Sequence, residues 1–288
     1  MSNIFASLHP QWRSLKAIWA RLSSAPEDPQ ARAQVPSRSQ ASSFHLLWRL
    51  PPEVERGAIG LAEVSAVLEV LVPPQVPSLY FWALQVDFVA GHRVLGGAHV
   101  GLQWNARYPG NTAANWGGYA ALELGGRLLP GSRSWLPGFP EDSNTLAYTW
   151  LPGLPYRLRV FRSAERELAW RAEVTDLASG EATIIRDLYL SELVRRGPLT
   201  KAGVCLGRPL VWSEVFASCD APSVRIRWSD LRALTEEGRL AEARAVLVNY
   251  QAESAGGCRN TDSTVDEAGF LQTTNTRRTT PQGSLLTR

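Results

Sequence analysis

Six side chains able to do chemistry stand close together in the chain: Gln85 and Asp87, then His99, Gln103 and Asn105, then Glu123. Sugars present hydroxyls, whose natural partners are planar amides and carboxylates. They also present C–H faces that stack on aromatic rings. Asn115, Trp116 and Tyr119, preceded by Tyr108, supply one more amide and the rings. Gly117 and Gly118 permit close approach of the backbone. The expected ligand-binding set is Gln85, Asp87, His99, Gln103, Asn105, Asn115, Trp116, Tyr119 and Glu123. A competing reading has these groups satisfying one another beneath a covering loop, with Trp116 pinning that loop.

Other chemistries are less well supported. Asp87 and Glu123 could form the paired carboxylates of glycoside hydrolysis, and His99 beside Asp87 could act as a general base. His92, His99, Asp87 and Glu123 do not follow a metal-ligand spacing. The run "NTDSTVDEAG" offers Asn260, Asp262, Asp266 and Glu267 to calcium, but lacks the glycine and terminal glutamate of an EF-hand. No nucleophile elbow, P-loop or dinucleotide fingerprint occurs. The expectation is therefore a non-catalytic binding module without a cofactor. A glycan-cleaving enzyme using Asp87 and Glu123, assisted by His99, is the alternative. A structural or protein-interaction domain is a third reading.

The elements that must hold these residues are strands. From Phe44 onward, short apolar runs alternate with turn signals, and few stretches read as long helices. Over 79–89, Tyr80, Trp82, Leu84, Val86 and Phe88 share one face, opposite Phe81, Ala83, Gln85 and Asp87. Over 98–105, Ala98, Val100, Leu102 and Trp104 oppose His99, Gly101, Gln103 and Asn105. Residues 119–124 read as a further strand, with Glu123 beside Tyr119 and Ala121, after a loop "ARYPGNTAANWGG". A later hairpin looks different. Arg157 and Arg159 face Glu167, Arg171 and Glu173, an ordinary exposed charge ladder. Its inner face is Tyr156, Leu158, Val160, Leu168, Trp170, Ala172 and Val174. One sheet face thus looks solvent-washed and another lined for a ligand.

Serial antiparallel strands, tryptophan-rich inner faces and the phrase "WRAEVTDLASGEATIIRDLYL" resemble the concanavalin A-like β-sandwich superfamily, which includes laminin-G-type modules, legume lectins and glucanases. The resemblance spans roughly Phe44 to Tyr250. It implies an all-β antiparallel sandwich, and a carbohydrate ligand on a concave sheet face or its rim. Gln85, Asp87, His99, Gln103 and Glu123 would then lie at the site. The E-x-D-x-x-E acids of the glucanases of this fold are absent, which argues against that enzymatic reading.

The 288 residues divide into an extension (1–40), a sandwich (41–252) and a polar C-terminal segment (253–288) that could pack on the sandwich. Leu8, Trp12, Leu15, Trp19 and Leu22 form a helical stripe in the extension. A net charge of +3 makes nucleic acid an unexpected partner. Arginine-rich composition hints at a high-GC bacterium. No secretory apolar segment or membrane-spanning run is visible, so the reading is soluble and cytoplasmic by default, with secretion left open. Of three cysteines, Cys205 and Cys219 could bridge, but buried thiols are the simpler expectation.

Overall fold

A computed structural model describes residues 42–191 and 203–288; the N-terminal helical stripe lies outside them. Sixteen strands and very little helix among these residues make the fold all-β. In chain order the strands are β1 (Ser42–Arg49), β2 (Leu61–Val72), β3 (Tyr80–Ala90), β4 (Arg93–Trp104), β5 (Thr112–Ala120), β6 (Thr145–Ala147), β7 (Pro155–Arg162) and β8 (Ala169–Asp176). Then follow β9 (Ala182–Tyr189), β10 (Cys205–Val215), β11 (Arg225–Thr235), β12 (Leu240–Glu242), β13 (Ala245–Tyr250), β14 (Thr261–Val265), β15 (Phe270–Thr274) and β16 (Leu285–Thr287).

Pairing is antiparallel throughout and gives two layers. One runs β16-β13-β1-β10-β3-β4-β5-β6, and the other β14-β15-β11-β2-β7-β8-β9, with β12 also on β11. The layers join where Leu206 of β10 meets Leu61 of β2. The C-terminal segment contributes β14 and β15 to one layer and β16 to the edge of the other.

The alternation read from the sequence decides what lies between the layers. Trp82, Leu84, Val86, Phe88, Val100 and Leu102 point inward from β3 and β4, meeting Leu158, Val160, Trp170, Ala172 and Val174 from the opposite layer. Trp82 packs edge-on against Trp150 at 5.6 Å, and Phe88 meets Trp170 at 5.9 Å. Large rings fill a sandwich core well, and such ring contacts contribute beyond their buried area.

Three sequence expectations need correction. The presumed loop "TAANWGG" is β5, which begins at Thr112 and ends at Ala120. Residues 122–124 are a short 3-10 turn, closed by Gly125 at φ 98°, so Glu123 is on an exposed turn rather than a strand. The disulfide joins Cys219 to Cys258, with Cα atoms 5.5 Å apart, and Cys205 is free. Cys205 opens β10 and Cys219 lies in the turn beyond its end at Val215, so a strand roughly 30 Å long separates them, far beyond a disulfide's reach.

The charge ladder is present but differently partnered. Arg159 binds Glu63 of β2 at 2.6 Å and Glu173 at 3.7 Å, while Arg157 reaches Asp230. Arg171 pairs with Asp187 and Glu165. Glu167 sits outside the strands.

Candidate functional site

The outer face of the first layer is built by register. Gln85 of β3 lies opposite His99 of β4, and Phe81 opposite Gln103. On β5, Asn115 lies opposite Gly101, Gly117 opposite His99, and Tyr119 opposite Gly97. The other neighbour of β3 is β10, which brings Leu210, Trp212 and Glu214 beside Gln85, Ala83 and Phe81. Beyond it, β1 adds Ser43 opposite Glu214 and His45 opposite Trp212. Paired residues point to the same side of a sheet, so all of these share one face.

An aromatic cluster occupies its centre. Phe81 meets Trp212 at 5.1 Å and His99 at 5.4 Å, and His99 meets Trp212 at 5.7 Å, all edge-on. With Ala83, Leu210 and the half-buried Leu47, these rings make an apolar patch separate from the main core. Gly101 explains how the Phe81 ring fits. A Cβ there would stand 2.7 Å from that ring and 2.0 Å from the Trp82 carbonyl oxygen. The glycine is required by close approach rather than by a turn.

Polar groups surround the cluster, and most of them are buried. Gln85, Asp87, Gln103, Asn115 and Glu214 are all buried, whereas His99 and Tyr119 are half-buried. Some groups are matched within the protein. Asn115 donates to Thr145 Oγ1 at 2.9 Å, and the Tyr108 hydroxyl donates to Gln103 Oε1 at 3.3 Å. Asp87 accepts from Arg208 Nε at 2.5 Å. Arg208 sits in a β10 bulge at φ 45°, and the bulge aims its side chain at Asp87. Other groups are not matched. Gln85 Oε1, Trp212 Nε1 and His45 Nε2 are buried without a hydrogen-bond partner. Each such atom costs about 1–3 kcal/mol while unsatisfied.

Burial sets the charge state. It pushes the Glu214 carboxyl up to about 8. It also raises Asp87 to about 7, against the opposing pull of Arg208. His45 and His99 are both lowered to about 4, again by burial. At neutral pH the Glu214 carboxyl is therefore mostly undissociated, and both imidazoles are neutral.

The expected site residues thus divide. Gln85, Asp87, His99, Gln103, Asn115 and Tyr119 come together on this face. Asn105 lies just past β4, where its Oδ1 accepts from the Arg107 N–H in a turn. Trp116 points the other way: it is fully buried in the core and donates Nε1–H to the Trp170 carbonyl at 3.3 Å. Glu123 is off the sheet, and His92 is on an exposed turn. Asp266 accepts from Arg227 and two backbone N–H groups, and Asp262 from Tyr250, Ser263, Thr279 and Thr280. Among the described residues, no three His, Cys, Asp or Glu side chains gather as a metal-holding group.

Glu214, Trp212 and His45 lie outside the set expected from the sequence. The parity of "PLVWSEV" and "SFHLLWR" does carry a signal for them, since it sets Leu210, Trp212 and Glu214 on one side and His45 beside Leu47.

No family model and no curated protein matches the chain. Among solved structures, a scytalido-glutamic peptidase bound to a peptide-based transition-state analogue aligns at 11% identity and TM-score 0.40, over 81% of this chain and 98% of that one. An alginate lyase from Pseudomonas aeruginosa aligns at 14% identity and TM-score 0.23, over 57% of this chain and 65% of that one. Peanut lectin with a nonapeptide aligns at 13% identity and TM-score 0.25, over 62% and 83%. Likenesses of this size carry no argument about activity; what this chain shares with such proteins is an antiparallel β-rich architecture.

Proposed function

We propose that the β10-β3-β4-β5 face is a carbohydrate-binding surface and that the protein binds glycans without cleaving them. The observation that carries this reading is the mixture of unmatched polar groups on one sheet face. Gln85 Oε1 can only accept a hydrogen bond and Trp212 Nε1 can only donate one. A sugar hydroxyl does both, and the half-buried rings of Tyr119 and His99 are the apolar surface on this face that its C–H groups would meet. The non-catalytic part of the reading rests on the carboxylates. Glu214 lies opposite Phe81, six residues along β3 from Asp87, so their backbone positions are about 20 Å apart at strand rise. Paired glycosidase carboxyls stand about 5–9.5 Å apart, and Glu123 is not on the face. Purified protein on a broad glycan array tests the reading. Retention of at least one oligosaccharide class, weakened by Gln85→Ala, supports it; no binding at millimolar ligand overturns it.

One observation favours a second reading, hydrolysis with a single acid. Glu214 keeps its proton near neutrality, and the Gln103 amide faces it across Phe81. An undissociated carboxylic acid in an apolar site is the form required of a general acid. Release of new ends from a peptide or glycan substrate, abolished in Glu214→Gln, would replace the binding reading with this one.

A further inference from the structure

The rings of the central cluster point outward from the first layer, yet Phe81 and Trp212 are 3% exposed and Gln85 is 5% exposed. The outer face of the other layer is wetter: the side chains of Arg157 and Arg159 are each 34% exposed. All sixteen strands among the described residues lie in the two layers, so none of them covers the cluster. Tyr108 and Asn144 reach the β5 side of the face, at Gln103 and Gly117. The β1-β10-β3 side, with His45, Trp212 and Phe81, needs another cover, because an apolar patch of this kind is a docking surface when left in water.

The chain itself arrives at that side. Ser42, the first described residue, lies opposite Val215, and Ser43 lies opposite Glu214, which lies opposite Phe81. Two strand spacings, about 10 Å, separate the entry of β1 from the position of Phe81. Upstream stand Leu8, Trp12, Leu15, Trp19 and Leu22, spaced by four and three as on one face of a helix. A helix from 8 to 22 is about 21 Å long, and the sheet from β1 to β5 is about 19 Å wide. Residues 23–41 reach up to about 60 Å, ample to lay that stripe across the strands.

We propose that the N-terminal segment of this same chain covers the outer face of β1-β10-β3-β4, its Leu8–Leu22 stripe against Phe81, Trp212 and Leu47, and holds the carbohydrate face closed until a ligand displaces it. The cover stands on the burial and the point of entry; the gating rests on the glycan reading above. Displacement is built into the chemistry. Leucine side chains satisfy the rings but have nothing to offer Gln85 Oε1, Trp212 Nε1 or His45 Nε2, which are unmatched. A sugar hydroxyl can bond all three, so the open state binds the ligand with contacts that the closed state lacks, which is what a shift between them requires.

Two measurements on the full chain test this. In the first, a photo-reactive benzoylphenylalanine replaces Leu15, and the cross-linked peptides are identified by mass spectrometry. Cross-links within one chain to the peptides carrying Phe81 and Trp212, at the same yield on dilution, are expected. Cross-links to other surfaces, or only between two chains, overturn the cover. In the second, an oligosaccharide retained on the array is titrated into wild type, Leu15→Asp and the double variant Trp12→Ala, Trp19→Ala. A segment that closes the face nine-tenths of the time lowers apparent affinity about 10-fold, so both variants should bind about 10-fold more tightly than wild type. Equal or weaker binding by the variants refutes the gating and leaves the glycan reading standing. If neither wild type nor the variants bind any sugar, the glycan reading falls and the gating with it, while the cross-links decide the cover on their own.

Discussion

The charge states on the outer face make stability depend on pH in an unusual way. Glu214 is raised from 4.5 to about 8, and Asp87 from 3.8 to about 7. A raised carboxyl contributes stability that is complete below its unfolded value and is lost as pH rises through its folded one. His45 and His99 are lowered from 6.5 to about 4. A lowered imidazole contributes stability that is complete above its unfolded value and is lost as pH falls toward its folded one. Between pH 4.5 and 6.5 two groups push each way, so their effects cancel and stability is nearly flat. Above 6.5 the histidines are neutral folded and unfolded alike, and only the carboxyls act. Each carboxyl that stays protonated in the fold while ionised in the unfolded chain loses about 1.36 kcal/mol for every pH step of one. Stability should therefore fall by roughly 3 kcal/mol between pH 6.5 and about 8. For a domain of this size that lowers the melting temperature by about 6–12 °C. Glu214→Gln replaces the acid by a neutral amide of the same shape and should cut the fall to about 1 kcal/mol, the share of Asp87. Scanning calorimetry of both proteins from pH 5 to 9 reads this directly. Parallel profiles for wild type and Glu214→Gln above pH 6.5 would refute the placement of Glu214 as a buried acid held protonated by its surroundings.

Other outcomes follow from the core and the covalent link. The Cys219–Cys258 bridge closes a loop with a sequence separation of 39, which loop entropy puts at about 4 kcal/mol. Reduction, or Cys258→Ser, should lower the melting midpoint by about 8–16 °C, and no change would show that the bridge does not form. Trp116→Ala should cost about 3–5 kcal/mol and leave the affinity of the remaining folded protein intact, because the indole faces the core. Urea unfolding paired with a glycan titration separates the two, and a folded variant that has lost binding would contradict that placement. Gly101→Ala forces a Cβ into the Trp82 carbonyl and the Phe81 ring. It should abolish binding together with cooperative unfolding, whereas a stable, fully binding variant would contradict the packing of the central cluster.

How far the sequence reveals this site depends on how local each contact is. Strict alternation in "LYFWALQVDF" and "GGAHVGLQWN" separates Trp82, Val100 and Leu102 from Gln85, His99 and Gln103, and those two strands pair as neighbours. The same parity runs through "TAANWGGYA", but its asparagine, glycines and small residues look like a loop, which hides that Trp116 belongs to the core. Glu123 falls on the face only if β5 continues past Ala120, and Gly125 and Gly126 instead turn the chain at φ 98° and 58°. Glu214 and Trp212 stand more than a hundred residues from β3. Their strand periodicity is readable, but which strand they join is fixed by the packing of the whole layer. The Cys219–Cys258 link is equally non-local, since it ties the turn after β10 to the C-terminal segment.

The most direct test of the proposed face is heteronuclear NMR of the tryptophan indole N–H groups, assigned with Trp212→Phe, during titration with an oligosaccharide retained on the array. Trp212 Nε1–H has no partner in the protein, whereas Trp116 Nε1–H is already bonded to the Trp170 carbonyl. The Trp212 signal should move to saturation with the ligand while the Trp116 signal stays put. Saturable binding that leaves Trp212 unmoved would place the ligand elsewhere and contradict the account.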